Sequence, residues 1–384
     1  MSDAVIPFTL DIPQDVLRDL QDRLSRTRWP DPSPVDDGRQ GPPLAKVRAL
    51  IDRWKDGYDW RRCEAMLKGW GQHVTRIDGV DIHFLHVRSA HDGAMPLLLT
   101  HGWPGSVLEF RHVIDPLVNP TAHGGTTDDA FHLVIPSMPG FGFSGKPIRP
   151  GWNPARIAGA WAALMARLGY DHWGAQGGDW GAMVTMILGH MAPTGLAGIH
   201  LNFVPFQPAE AEVASADEAE RQMLSDAARY DAEYSAYMKL QATRPQSVAF
   251  ALADSPAGLA AWIYALFQDA SSSGGEPERV FGLDEMIDDI MLYWLPNAGP
   301  SSARLYWEGM QAMRAGGMPQ AAMQTPAGIS MFRGEQVRLS RRWAKARFDR
   351  LVHFAEHDRG GHFAAMERPD AFVSDLRATF RTLR

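Results

Sequence analysis

Asp179 stands in the stretch QGGDWGA, residues 176–182, with Gly177, Gly178 and Gly181 around it in the pattern small-x-Asp-x-small. Glycines at those places permit a sharp, strained turn from a strand into a helix, with the central side chain projecting above the sheet. Where this turn serves acyl transfer, serine occupies the centre. Serine attacking a saturated carbon would give a stable ether, whereas a carboxylate gives an alkyl ester that water can cleave. Asp179 therefore points to displacement at sp³ carbon, at an epoxide or a carbon–halogen bond.

Three further stretches complete the chemistry. In THGWPGS, residues 100–106, His101-Gly102-Trp103-Pro104 follow an apolar run, where a loop N–H can pair with that of the residue after the nucleophile to hold a developing oxyanion. The two donors are the N–H groups of Trp103 and Trp180. His362, in RGGHFAAMERP, follows glycines near the end of the chain and stands after Asp179 in the order nucleophile, acid, histidine. A carboxylic acid is ionised near neutrality without help, so His362 is expected to activate the water that hydrolyses the ester. The acid that orients it must lie between. Glu335, in FRGEQV after a candidate strand, is preferred to Asp358, which is only four residues before His362.

These groups need a framework, and the hydrophobic pattern supplies one. Residues 1–75 read as a helical N-terminal extension, with Val16, Leu17, Leu20 and Leu24, then Val47, Leu50, Ile51 and Trp54, at helical spacing. The period changes at Val74. VTRIDGVDIHFLHVRS alternates about the hairpin-forming pair Asp78-Gly79, and PLLLTHGWPG and FHLVIPSMPGFGFSG are buried strands ending in glycine-rich loops. Strand and helix then alternate to about residue 205, as in parallel crossover units. Residues 206–322 lose strand character and read as a helical cap, and 323–384 return to the core. The expectation is an α/β fold: a mostly parallel central sheet with a helical cap inserted in it.

Composition closes off other classes. The 384 residues are 45% hydrophobic and 22% charged, enough for a large core, and the net charge of −7 offers no basic surface for nucleic acid. Cys63 is the single cysteine, so no intramolecular disulfide or thiolate cluster is expected and a cytoplasmic location follows. No run approaches the length of a membrane span. No metal site, Walker loop or dinucleotide fingerprint stands out, so no cofactor is expected.

HGWPGSVLEF, PSMPGFGFSGKP, QGGDWGA and GGHFAAMERP, together with FTLDIPQDVLRDLQDRLSRTRWPD, resemble the microsomal-type epoxide hydrolases, which include insect juvenile-hormone enzymes and bacterial relatives. The resemblance spans nearly the whole chain. It implies an α/β-hydrolase fold, the triad Asp179, His362 and Glu335, and two cap tyrosines that hydrogen-bond the epoxide oxygen, here Tyr237 in YMKLQATRP and Tyr306 in SSARLYWEGM. Tyrosine suits that task because it stays protonated at neutral pH and is a better donor than water. Tyr234, Tyr264 and Tyr293 lie in the same region, and the residues alone do not choose among them. Trp103, Trp180 and Trp294 are expected to line the pocket. The mammalian members carry an N-terminal membrane anchor that this sequence does not contain, so membrane residence is not carried over. The partners expected are an epoxide and water, with a homodimer left open. Two readings compete: a haloalkane dehalogenase, which also uses an aspartate nucleophile but needs no proton donor for halide, and a non-catalytic ligand-binding homologue, which would not need the full set of reacting groups.

Overall fold

The computed structural model describes residues 4–35, 37–316 and 321–384. Its strands are β1 (Ile6–Pro7), β2 (Gln72–Ile77), β3 (Val80–Val87), β4 (Met95–Thr100), β5 (Phe131–Pro136), β6 (Trp173–Gly177), β7 (Leu196–Leu201), β8 (Ala327–Phe332) and β9 (Leu351–His357). They form one sheet in the order β1-β2-β3-β5-β4-β6-β7-β8-β9. From β1 to β5 the neighbours are antiparallel, and from β5 to β9 every pair is parallel. The parallel strands read as unbroken apolar runs because helices cover both faces, and all six residues of β5 are buried. At the β2–β3 hairpin, Asp78 and Gly79 both take positive φ, 48° and 82°, as a tight two-residue turn demands. This is the α/β-hydrolase architecture expected from the sequence.

Chain order and sheet order diverge around β4. The chain runs from β4 to β5 on one side and later to β6 on the other, so the loops after β4 and β6 part and leave a crevice at their carboxyl ends. Such a switch point is where open α/β sheets bind ligands.

Between β7 and β8 the described residues contain no strand. Helices run from Glu210–Ala214 to Gly299–Arg314 across this stretch. Residues 317–320, within the expected cap, lie outside the described residues. The N-terminal helices Gln14–Ser25 and Leu44–Asp56 bury Leu20, Leu24, Val47, Leu50, Ile51 and Trp54. Val16, which shares the predicted spacing, is exposed. The buried carboxylate of Asp288, on helix Leu283–Trp294, accepts from Tyr58 Oη at 2.7 Å, Arg62 at 2.7 Å and Arg111 at 2.9 Å. One helix of the insertion is thereby tied both to the N-terminal segment and to the residues that follow β4. A carboxylate with no exposure needs such partners, since a buried charge is tolerated only when paired.

Candidate active site

The turn after β6 brings Asp179 to the first position of helix Asp179–Met191, with φ at 47°. That is the left-handed region, costly for a residue with a side chain and sustained only by close packing around it. The packing is visible in the glycines. A Cβ on Gly177 would lie 2.1 Å from the Gly181 carbonyl oxygen, one on Gly181 2.0 Å from that of Thr100, and one on Gly102 2.3 Å from Asp179 Cβ. Backbone occupies the space that side chains would need, so the spacing read in QGGDWGA is a steric requirement.

Four loops at the carboxyl ends of β4, β6, β8 and β9 converge on this point. The N–H of Trp103 donates to Asp179 Oδ1 at 2.8 Å. His362 Nε2 lies 3.3 Å from Asp179 Oδ2, and His362 Nδ1 donates to Glu335 Oε2 at 2.9 Å. Glu335 is 2% exposed and its other oxygen accepts the Gln336 N–H at 2.7 Å. Asp358 is exposed, and it is Glu335 that meets His362. Burial opposes the charged imidazole of His362, yet the carboxylates of Glu335 and Asp179 outweigh it and hold the pKa well above the ordinary histidine value. His101 is different in kind. Burial drives its pKa down to about 4, and the neutral ring braces the loop, Nδ1 donating to the Gly102 carbonyl and Nε2 accepting the Met138 N–H. The N–H of Trp180 sits in the first helical turn, where no carbonyl of the helix can accept it.

Above Asp179 stands an aromatic box. Trp103 stacks on Tyr237, with centroids 5.4 Å apart, and meets Tyr306 edge-on at 5.7 Å. Trp180 meets Tyr306 edge-on at 4.9 Å, and the two tyrosine rings are 5.9 Å apart. Gly309, one turn on from Tyr306, makes room for the Trp180 ring, because a Cβ there would lie 2.5 Å from it. Tyr237 Oη lies 3.1 Å from Tyr230 Oη, while the buried hydroxyl of Tyr306 has no hydrogen-bond partner among the described residues. Burial first, and then neighbouring tyrosines and Asp179, push the pKa of both well above the usual phenol value, so they remain donors. The other tyrosines are engaged elsewhere: Tyr264 donates to Glu278 and Tyr293 to the Gly105 carbonyl, while Tyr234 stacks on Tyr230.

Trp294 departs from expectation. It ends helix Leu283–Trp294 and lies beneath the guanidinium of Arg23, 5.8 Å from its ring, so it packs against the N-terminal helix and does not join the box. Sequence reasoning also passed over Tyr230, Ser302 and Glu109. The first two sit at helical spacings that carry no signal of chemistry, but Glu109 lies inside the motif HGWPGSVLEF and could have been found there.

Comparison with known proteins bears on the whole chain. Residues 5–110 match the family described as "Epoxide hydrolase N terminus", and residues 95–255 match "alpha/beta hydrolase fold". A Stigmatella aurantiaca protein whose name places it with the epoxide hydrolases is 51% identical over 99% of this chain and 86% of its own. The chain belongs to the epoxide hydrolase family. "Epoxide hydrolase 1" of Sus scrofa is 31% identical, covering 98% of this chain and 88% of its own. Juvenile hormone epoxide hydrolase from the silkworm Bombyx mori superposes with a TM-score of 0.91 at 28% identity, covering 100% of this chain and 95% of that one. This epoxide hydrolase has, among its described residues, no helix long and apolar enough to cross a membrane, and no cluster of three or more His, Cys, Asp or Glu suited to a metal ion.

Proposed function

We propose that this epoxide hydrolase converts its substrate and water to a vicinal diol through an alkyl ester on Asp179. Oδ1 accepts the Trp103 N–H while Oδ2 pairs with His362 Nε2 at 3.3 Å, and Oδ2 is the oxygen that attacks an epoxide carbon on the side opposite the breaking C–O bond. As the C–O bond breaks, Tyr306 and Tyr237 give a proton to the epoxide oxygen, leaving a hydroxyl on the substrate and a tyrosinate in the cap. Esterification removes one of the two carboxylates that kept His362 charged. Its proton is then released to restore the tyrosine, and the neutral imidazole, oriented by Glu335, becomes a base.

Water next gives a proton to His362 Nε2 as its oxygen bonds to Cγ of the ester. The negative charge develops on Oδ1, which already accepts the Trp103 N–H, and the Trp180 N–H is the proposed second donor. Collapse breaks the Cγ–Oδ2 bond, the departing alkoxide takes the proton of the new carboxyl group, and ionised Asp179 beside charged His362 is regenerated. Atoms and protons balance over the cycle.

The observation that carries this reading is the pair of cap tyrosines, Tyr237 and Tyr306, beside a carboxylate whose Oδ1 is held by the Trp103 N–H. A dehalogenase would hold halide with indole N–H groups, but that of Trp103 donates to Ser302 Oγ at 3.3 Å. Cytoplasmic residence fits the single, buried cysteine. Purified enzyme offered a panel of epoxides and alkyl halides should form diols from the former and release no halide from the latter. Halide release without diol formation would overturn the assignment.

A further inference from the structure

Glu109 belongs to a short 3-10 turn, Val107–Phe110, directly after the loop that carries Trp103. Its carboxyl occupies the space that a side chain on Gly105 would fill, since a Cβ there would fall 1.3 Å from Oε1. From that seat it faces a cavity of about 10 Å³ whose walls include Glu109, Gln176, Asp179, Asn202 and His362. That volume accommodates about one water molecule. None of the tyrosines or tryptophans of the aromatic box lines it. It therefore approaches Asp179 and His362 from the core side, opposite the cap.

The polar groups of this cavity are incompletely paired by the protein. Gln176 is buried, and its amide nitrogen donates to Asn202 Oδ1 at 2.7 Å, but its Oε1 has no partner. A buried acceptor left unpaired costs about 1–3 kcal/mol, so Oε1 is set for a donor from outside the chain. Glu109 is surrounded by Asp289, Asp179 and His362, and its carboxyl touches the Gly102 N–H. Burial and then Asp289, itself pushed up to about 7 by burial, push it up to about 8, with His362 opposing, which favours the neutral acid.

We propose that this cavity seats the water that hydrolyses the ester, and that Glu109 and Gln176 are the residues that orient it. The proposal rests on the covalent reading above. A water there can give one proton to His362 Nε2 and the other hydrogen bond to Gln176 Oε1, while Glu109 fixes its position, turning its free lone pair toward Cγ of Asp179. Ionised Glu109 would add a negative charge beside a carbonyl that is itself becoming an oxyanion. The neutral acid favours that step. Glu109 is thus a positioning residue for hydrolysis and has no part in alkylation.

The test separates the two half-reactions. Wild-type enzyme and the Glu109→Leu and Glu109→Gln variants are mixed rapidly with an epoxide that the wild type turns over. Intact-protein mass spectrometry then follows the rise and decay of the adduct. Both variants should alkylate within about twofold of the wild type. Hydrolysis in Glu109→Leu should slow by about 10- to 100-fold, the scale of misplacing a reacting group, so that adduct dominates the steady state. Glu109→Gln, which mimics the neutral acid, should keep most of the rate and lose the decline in hydrolysis that the wild type shows as pH passes about 8. Equal slowing of both steps, or unchanged hydrolysis in Glu109→Leu, overturns the proposal. Should Glu109→Leu fail to fold, a Glu109→Gln variant that keeps the alkaline decline overturns it as well. Absence of any adduct, even in His362→Gln, removes the covalent mechanism itself and with it the role given to this water.

Discussion

The two sides of Asp179 are built differently. On the core side the reacting groups are joined by short polar contacts: the Trp103 N–H at 2.8 Å, His362 at 3.3 Å, and Glu335 behind His362 at 2.9 Å. On the cap side the contacts are between rings 4.9–5.9 Å apart, and the buried Tyr306 hydroxyl has no partner. The triad on the core side is paired before substrate arrives, with Gln176 Oε1 left open toward the water-sized cavity, whereas the cap side carries an unmet donor, at a cost of about 1–3 kcal/mol, that an epoxide oxygen can offset. On the proposed mechanism the difference gives each side one half of the reaction: ring opening to the cap and hydrolysis to the core.

The largest effect tests the point both sides share. Asp179→Ala should reduce diol formation on the order of 10⁴-fold or more, the scale seen when a covalent nucleophile is removed. Thermal unfolding should be no lower than in the wild type, because the substitution touches a strained turn and no core side chain. Near-wild-type turnover would break the comparison at its base.

How much of this was legible in the sequence follows the same division. The core side is encoded by short local motifs whose glycines are sterically required, so Asp179, Trp103 and His362 could be proposed from motif, strand context and chain order. Glu335 needed one further step, its place after β8. The cap side is encoded by helices, where a tyrosine that packs and a tyrosine that donates look alike. Tyr237 and Tyr306 were reached only through a family resemblance, and Trp294 was misplaced because its contact with Arg23 joins residues 271 positions apart. β1 escaped notice for another reason, since two residues, Ile6–Pro7, are too few to show a period and owe their strand geometry to pairing with β2. The water-sized cavity was equally hidden, because its walls come from five separate segments.

Removing the base should divide the halves cleanly. His362→Gln should alkylate but not release product, so the protein should gain the whole mass of the epoxide, with the adduct mapped to Asp179. The charge relationship gives a second reading of the same residue. In resting enzyme two carboxylates favour the imidazolium, and in the proposed ester only Glu335 would remain, so the His362 pKa is expected to fall on alkylation. The acid limb of single-turnover hydrolysis should therefore lie below the pKa of His362 measured by NMR in the free enzyme. Coincidence of the two values would mean that Asp179 contributes little to the charge on His362.

The cap should respond in the opposite half. If Tyr237 and Tyr306 share one acceptor as proposed, either single Phe variant should retain partial activity, and the double variant Tyr237→Phe/Tyr306→Phe should lose about 10²–10⁴-fold, the usual worth of general-acid assistance. The loss should fall on alkylation, with decay of a preformed ester unchanged. Full activity of the double variant would transfer the oxygen to another donor, and Tyr230, 3.1 Å from Tyr237, would be the first to examine.

The smallest effect is the sharpest test of the division, because it acts through a residue that belongs to the core by sequence and to the cap by contact. Trp180 follows Asp179 directly, yet its ring lies against Tyr306 and against the backbone of Gly309 on helix Gly299–Arg314. Gly309→Ala would set a Cβ 2.5 Å from Cη2 and Cζ3 of that ring, at the rigid end of an indole that cannot bend away. The ring must rotate from its preferred torsion, at about 0.5–1.5 kcal/mol, and Tyr306 must move with it. Alkylation should then slow by about 2- to 10-fold while ester hydrolysis stays as it was, since neither the Trp103 N–H nor the His362–Glu335 pair touches this contact. Rapid-mixing fluorescence of the tryptophans can follow the first step and adduct decay the second. If Gly309→Ala slows both steps alike, the indole of Trp180 couples the two halves, and the cap cannot be assigned to ring opening alone.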